Sequence, residues 1–311
     1  CNIGMINGTF TSNNIHDVGR DGITSFPLVD QQDPSFVPYP LDNLFISYNK
    51  FENVGDDAVA VHAGTEFAIN NSLAPSNIAI TYNSIIGRSN DHALSQGRGI
   101  ALTGVRNVTI DSNWITNTVN SGILIRSWYN NASNPELAQE AIRCYNILVV
   151  NNVLVEAGSA EGLSRIRNAI HVKGADRLKI SSNIIRKSAG HGISVGDTTV
   201  IELIANEVYN SQGNAAIVLV GGDDYDVVDA IVADNIIEHW NENELVMYNV
   251  INGHAFTGAS NPFMTELRLR SSGGISTKTT GNIGSALYTA NDQNSNSNGS
   301  YLPDGFQLAD E

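Results

Sequence analysis

Apolar residues along this chain come in short alternating runs, not at helical spacing. The runs follow a period of two and are broken by Gly and Asn, the signature of short strands. One unit recurs: a short apolar strand, an Asn, a few apolar residues, a small polar turn, and a second alternating strand. It reads Ile46-Ser-Tyr-Asn49 before Ala58-Val-Ala-Val61, then Ile80-Thr-Tyr-Asn83 before Gly99-Ile-Ala-Leu102. It returns as Ile110-Asp-Ser-Asn113 before Gly122-Ile-Leu-Ile125, and as Val149-Val-Asn-Asn152 before Ala169-Ile-His-Val172. Later copies are Ile180-Ser-Ser-Asn183 before Gly192-Ile-Ser-Val195 and Asn206 before Ala216-Ile-Val-Leu219. Asn14 and Asn235 mark the first and last clear units.

The shortest gap between markers, Asn183 to Asn206, is 23 residues and gives the bare unit; longer gaps are that unit plus loops. Helical repeats of this length would need longer runs at period 3.6, which the sequence lacks. The pattern predicts an all-β chain folded as a right-handed parallel β-helix. Coils then stack at about 4.8 Å, so equivalent residues form columns along the axis. Asn suits the marker position because it tolerates left-handed backbone and stacked amides can bond to one another. The predicted organisation is coils over 1–240, last irregular coils or a C-terminal cap over 241–288, and a polar tail over 289–311. Insertions at Pro27 to Asp42, Glu66 to Pro75 and Asn130 to Tyr145 are expected to form walls beside a groove. Coil-like sequence begins almost at once, without a capping helix. Further N-terminal coils or another chain are therefore expected to cover that end.

Composition narrows the classes. With 311 residues, 41% of them hydrophobic, the chain can bury a sizeable core. The formal charge of −15 argues against nucleic acid or an anionic membrane as partner. No apolar run is long enough for a transmembrane helix, and no basic-then-apolar leader opens the chain. Cys1 and Cys144 are the only cysteines, which excludes a disulfide framework, and neither has metal-ligand spacing around it. The sequons at Asn7, Asn70, Asn107, Asn131 and Asn298 matter only in a eukaryotic secretory pathway.

Aligning the second strands of the units sends Ile23/Ser25, Val59/Val61, Ile100/Leu102, Ile123/Ile125, Ile170/Val172 and Ile193/Val195 inward. The outward residues are then Thr24 and Phe26, Ala60 and His62, Ala101 and Thr103, Leu124 and Arg126, His171 and Lys173. Just before the strands the column reads Asp21, Asp57, Arg98, Ser121, Asn168 and His191, with Asp56 one place earlier. Three carboxylates, Asp21, Asp56 and Asp57, therefore meet at one rim of a groove. His62, Arg98 and Arg126 flank them as substrate-binding candidates, and His171 and Lys173 lie farther along. Clustered acids repel, which raises the pKa of at least one and suits it to proton donation. One protonated and one ionised carboxyl facing a sugar is the minimum equipment for glycoside hydrolysis, and an open groove suits a polysaccharide. Asp21-Gly22 is also a turn signal in its own right, and the basic residues also read as solvated charges. Asp223-Asp224 follows its strand without a partner column and reads as a loop, and Gly190-His191-Gly192 as a turn.

At Asp21-Gly22-Ile23 and Gly55-Asp56-Asp57-Ala58-Val59 the chain resembles the β-helix glycoside hydrolases of the polygalacturonase, dextranase and α-1,3-glucanase families. That resemblance implies inverting hydrolysis, with Asp56 as general acid and Asp21 and Asp57 holding and activating water, without cofactor or metal. It also implies a secreted or cell-surface bacterial protein that degrades polysaccharide. Where polygalacturonases carry Gly-His-Gly and Arg-Ile-Lys, this chain has Gly97-Arg98-Gly99 and Leu124-Ile125-Arg126, which points away from galacturonan. Two other classes use the same scaffold. A calcium-dependent lyase or epimerase would hold Ca²⁺ on Asp21, Asp56 and Asp57 and use Arg98 or Arg126 as base. A non-catalytic adhesin or tailspike-like solenoid would show large apolar residues on an outward face, for which Phe26 and Leu124 are the candidates.

Overall fold

The computed structural model describes residues 2–3, 5–27, 39–63, 73–87, 97–129, 140–158, 167–212, 216–220 and 227–238. Beyond these it describes backbone strands at 245–248, 250–251, 254–257, 267–270, 278–279 and 287–290. No helix occurs among the described residues. Each circuit of the chain places one strand in each of three parallel sheets, and the stacked circuits make a parallel β-helix.

Sheet I contains Ile23–Phe26, Asp57–His62, Arg98–Thr103, Ile123–Arg126, Ile170–Lys173, Ile193–Gly196 and Ile217–Val220. With Asn2–Ile3 at one edge and Leu245–Tyr248, Leu267–Arg270 and Leu287–Ala290 at the other, it has 11 strands. Sheet II stacks Ile6–Thr11, Asp42–Ser47, Ser76–Thr81, Arg106–Asp111, Cys144–Val150, Ala175–Ser181 and Thr199–Ile204. Sheet III stacks the three-residue strands that follow each of these, from Asn14–His16 to Glu207–Tyr209. Val227–Glu238 runs continuously through sheets II and III.

The register within sheet I is the one the alternation predicts. Val59 pairs with Ile23 and Ile100, and the column continues through Ile123, Ile170, Ile193 and Ile217. These residues, with Leu44, Ile46, Ile80, Ile110, Val149 and Ile180 of sheet II and Phe51, Ile85 and Ile115 of sheet III, form one continuous buried core. Period-2 alternation puts one apolar set inside on every strand, so each added coil extends the same core without altering it.

The asparagine column is real, but its first member is Asn13. The amide Nδ2 and backbone N–H of Asn13 both donate to Asn49 Oδ1, at 2.8 and 2.9 Å. Asn14 instead starts a strand of sheet III opposite Lys50. From Asn49 the same pair of bonds repeats through Asn83, Asn113, Asn152, Asn183, Asn206 and Asn235. Each Nδ2 from Asn49 onward also donates to a carbonyl of the preceding coil, as Asn113 does to Ile80. Nor is the ladder residue the left-handed one. Positive φ falls on the residue before it: Ser12, Tyr48, Tyr82, Ser112, Asn151, Ser182, Ala205 and Asp234. A second left-handed column opens the strands of sheet II at Asn7, Asn43, Asn77, Asn107, Asn146, Arg177 and Val200. Corners, and not the ladder, therefore use the αL tolerance of Asn.

Candidate functional site

The site column sits at the entry to the sheet I strands. The next position along is small in every coil: Gly22, Ala58, Gly99, Gly122, Ala169, Gly192 and Ala216. Coils approach closely there, and a Cβ on Gly22 would stand 2.6 Å from the Ala58 carbonyl oxygen. That approach brings the preceding residues side by side. Gly22 N–H donates to the Asp57 carbonyl at 2.9 Å, and Asp57 N–H donates to Asp21 Oδ1 at 3.3 Å. Asp57 is also paired in register with Arg98 of the next coil.

The three aspartates converge as expected: one oxygen from each lies within 4.8 Å of one from each of the others. Arg98 Nη1 donates to both carboxylate oxygens of Asp57, at 3.0 Å each. Arg20, an exposed residue, reaches Asp56 at 3.8 Å. Asp56 Oδ1 is buried and has no hydrogen-bond partner among the described residues. Burial, and after it the Asp21 charge, pushes the Asp56 carboxyl above the ordinary carboxylate range, against the pull of Arg98 and Arg20. Asp57 is 3% exposed. Its burial, aided by Asp56 and Asp21, takes it up to about 7 in spite of Arg98.

Asp21 and Asp57 sit at matching positions of neighbouring coils, and the coil spacing brings their carboxyls together. One expectation about this site needs correction: the groove is not open along its whole length. The outward positions Ala60, Ala101 and Leu124 are buried. Alternation says which side of the sheet a residue faces, but not what covers it. At the far end of these strands Trp128–Tyr129 pairs antiparallel with Glu140–Ile142. Ala63 and Ile142 there form a small apolar cluster against which Ala74 and Trp128 pack.

The remaining candidates lie on the outer face of sheet I. His62 Nδ1 bonds to Thr103 Oγ1 of the next coil, and its ring centroid stands 6.4 Å from that of Trp128. Burial lowers its pKa to about 4, with Arg126 and Arg98 adding to the shift and Asp21 opposing it. Arg126 is exposed and pairs in register with Thr103 and with Lys173. Lys173 reaches Asp197 Oδ2 at 3.5 Å. His171 is taken down to about 4 by burial and then by Lys173, His191 and Arg126. The carboxylates with Arg98 thus form one cluster, and Arg126, His171 and Lys173 a second one farther along the axis.

Sequence reasoning missed Trp128, which lies two residues beyond an outward position and outside the repeat. It also missed the exposed aromatics of the other faces: Phe45, Tyr48, Tyr82 and Trp114. Tyr48 and Tyr82 stack with centroids 5.1 Å apart. Their place in the repeat, directly before the ladder asparagine, was the available signal. The adjacent acids Asp223-Asp224 lie outside the described residues. Cys144 is a buried free thiol whose pKa burial raises to about 11, so it is inert packing.

No family model matches the chain, and no curated protein matches its sequence. Among solved structures it is similar in fold to the crystal structure of PfbA, a surface adhesin of Streptococcus pneumoniae. The identity is 12%, over 80% of this chain and 72% of that one, and the TM-score is 0.39. At that distance the likeness carries no argument about function.

Proposed function

We propose that this protein is a glycoside hydrolase acting on a polysaccharide, with Asp56 as the proton donor. The observation that carries this reading is the state of Asp56: a carboxyl with a raised pKa and one buried oxygen that has no hydrogen-bond partner among the described residues, beside two more carboxylates. A protonated acid there can give its proton to the glycosidic oxygen as the bond breaks. Asp21 is partly exposed and takes the proton of the attacking water. Asp57, gripped by Arg98 through both oxygens, fixes the water and its neighbours in place. Attack by water needs no cofactor.

The lyase reading loses its nearest base, because Arg98 is held as a cation on Asp57 and a guanidinium does not give up its proton in a protein. The two sheet I candidates of the adhesin reading recede, since Leu124 is buried and Phe26 partly buried, whereas Phe45, Tyr48, Tyr82 and Trp114 are exposed on the other faces. The deciding experiment is incubation with a glycan panel followed by mass spectrometry. Hydrolysis adds one water per cleavage, whereas elimination adds none and leaves an ultraviolet-absorbing product. No cleavage of any glycan would leave a binding module. Activity should persist in a chelator, and loss restored by Ca²⁺ would hand the site to the lyase reading. Whether water or a carboxylate attacks the sugar is read from the anomeric configuration of the first product by NMR.

A further inference from the structure

The outer face of sheet I is polarised. Its first two coils carry Asp21, Asp56 and Asp57, and beyond Asp57 the second, third and fourth coils carry Arg126, then His171 with Lys173, then His191. At the strand spacing those steps span about 10–19 Å. In a chain with 17 Lys and Arg against 32 Asp and Glu, such a gathering of cationic and imidazole groups on one face runs against the average.

The second cluster is also oriented. His191 N–H donates to Asn168 Oδ1 at 2.9 Å, which fixes which end of the Asn168 amide is oxygen. Asn168 Nδ2 therefore faces His171 Nδ1, at 3.2 Å, and can only donate to it. His171 Nδ1 must accept, so the ring proton sits on Nε2 and the imidazole offers a single N–H donor. Lys173 lies two residues along the same strand, and Arg126 is its register partner on the previous coil. Among the described residues Lys173 pairs with the carboxylate of Asp197, at 3.5 Å, while the lysine side chain remains 54% exposed.

We propose that this cluster is a subsite for one acidic sugar unit, bearing a carboxylate or a sulfate ester, of an otherwise uncharged glycan. His171 Nε2–H and Lys173 are its direct donors, and Arg126 contributes field. The proposal rests on the hydrolase reading and names its substrate class. A polymer charged at every unit is disfavoured, because it would lie across three aspartates in a chain of net charge −15. A sparsely charged chain avoids that repulsion. Its acidic unit on the cationic coils would place an uncharged linkage at Asp56 and fix the direction in which the chain lies.

Binding to the full chain carrying Asp56→Asn, measured by calorimetry, separates the subsite from catalysis. The probes are an oligosaccharide with a single glucuronic acid, the same oligosaccharide with that carboxyl reduced to the alcohol, a singly sulfated one, and a fully charged oligouronate. The singly charged probes should bind at least about tenfold more tightly than the reduced one, and Lys173→Met should erase that advantage. The better of the carboxylate and sulfate probes identifies the anion. In the otherwise unaltered chain, the ¹⁵N signal of His171 Nε2 should shift with the acidic probe and not with the reduced one. Equal binding of charged and reduced probes overturns the proposal. So does an advantage that survives both Lys173→Met and His171→Gln in folded protein, or an oligouronate that binds best. Binding of the acidic probe with no glycan cleaved by the wild type would sink the hydrolase reading and leave the subsite standing. Cleavage confined to neutral glycans would do the reverse.

Discussion

At the scale of single residues, local environment decides what each side chain can do. Asp56 and Asp57 are adjacent in sequence but differ in partner: Arg98 takes both oxygens of Asp57 and none of Asp56. Asp56→Asn keeps the shape and removes the proton, so activity on the true substrate should fall by about 10²–10⁴-fold with folding intact. Wild-type turnover in that variant would reduce the pair to turn structure. The left-handed corners make a separate prediction. Val200 occupies the column otherwise held largely by Asn, with φ of 50° and 45% exposure. A β-branched residue is poorly suited to that backbone, and Val200→Asn should stabilise the protein by about 1 kcal/mol in thermal unfolding. An unchanged or lower melting temperature would show that the corner is not strained. The aspartates were legible because acids at a shared repeat position stand out. The Arg98 contact was half legible: its column was readable, but the direction of a long side chain was not. Val200 could not be recognised as a corner until the backbone was known, because nothing about a valine signals αL.

At the scale of elements, the asparagine ladder is the clearest case of one residue type solving a repeated problem. Asn113 is buried, accepts two N–H groups from Asn83, and donates to Asn152 Oδ1 and the Ile80 carbonyl. Asn113→Ala strands those partners without water, and should cost about 2–4 kcal/mol. Asn13→Ala, at the exposed end of the ladder, should cost less than about 1 kcal/mol. Similar losses at both positions, by melting or by hydrogen exchange of the flanking coils, would refute a ladder built on buried amides. Strand positions and their register followed from period-2 alternation, because burying one face forces every apolar residue to the same parity. The one-residue slip at Asn14 arose where two asparagines stand together and the first coil offers no upstream neighbour for comparison. The antiparallel pair at 128–129 and 140–142 was not legible, since insertions follow no repeat.

At the scale of the whole molecule, buried titratable groups set how stability responds to pH. An acid raised in the folded state, as Asp57 is to about 7, contributes stability that is full below its unfolded pKa and lost as pH rises through 7. Histidines lowered to about 4, as His62 and His171 are, do the opposite: their contribution is present above pH 6.5 and lost as pH falls. The two trends oppose each other between about pH 4.5 and 6.5, so the wild type should show a shallower rise in melting temperature with pH there than the two histidines alone would give. Replacing both histidines by Gln should unmask a stability that declines as pH rises. A double variant with the wild-type profile would mean that the histidines are not neutral in the fold.

The ladder has one more property, which concerns direction. From Asn49 to Asn206 each rung gives its backbone N–H and one amide N–H to the Oδ1 of the next rung and offers its own Oδ1 to the rung before. Its second amide N–H reaches back to a backbone carbonyl. The amides are therefore aligned, and the stack is a one-way connector with an oxygen face at one end and a hydrogen face at the other. Two oxygen faces brought together would have acceptors and no donors, and two hydrogen faces the reverse. Any end-on joining that carries the ladder across is consequently head-to-tail; the mirror arrangement is refused by the same bonds that hold each coil to the next.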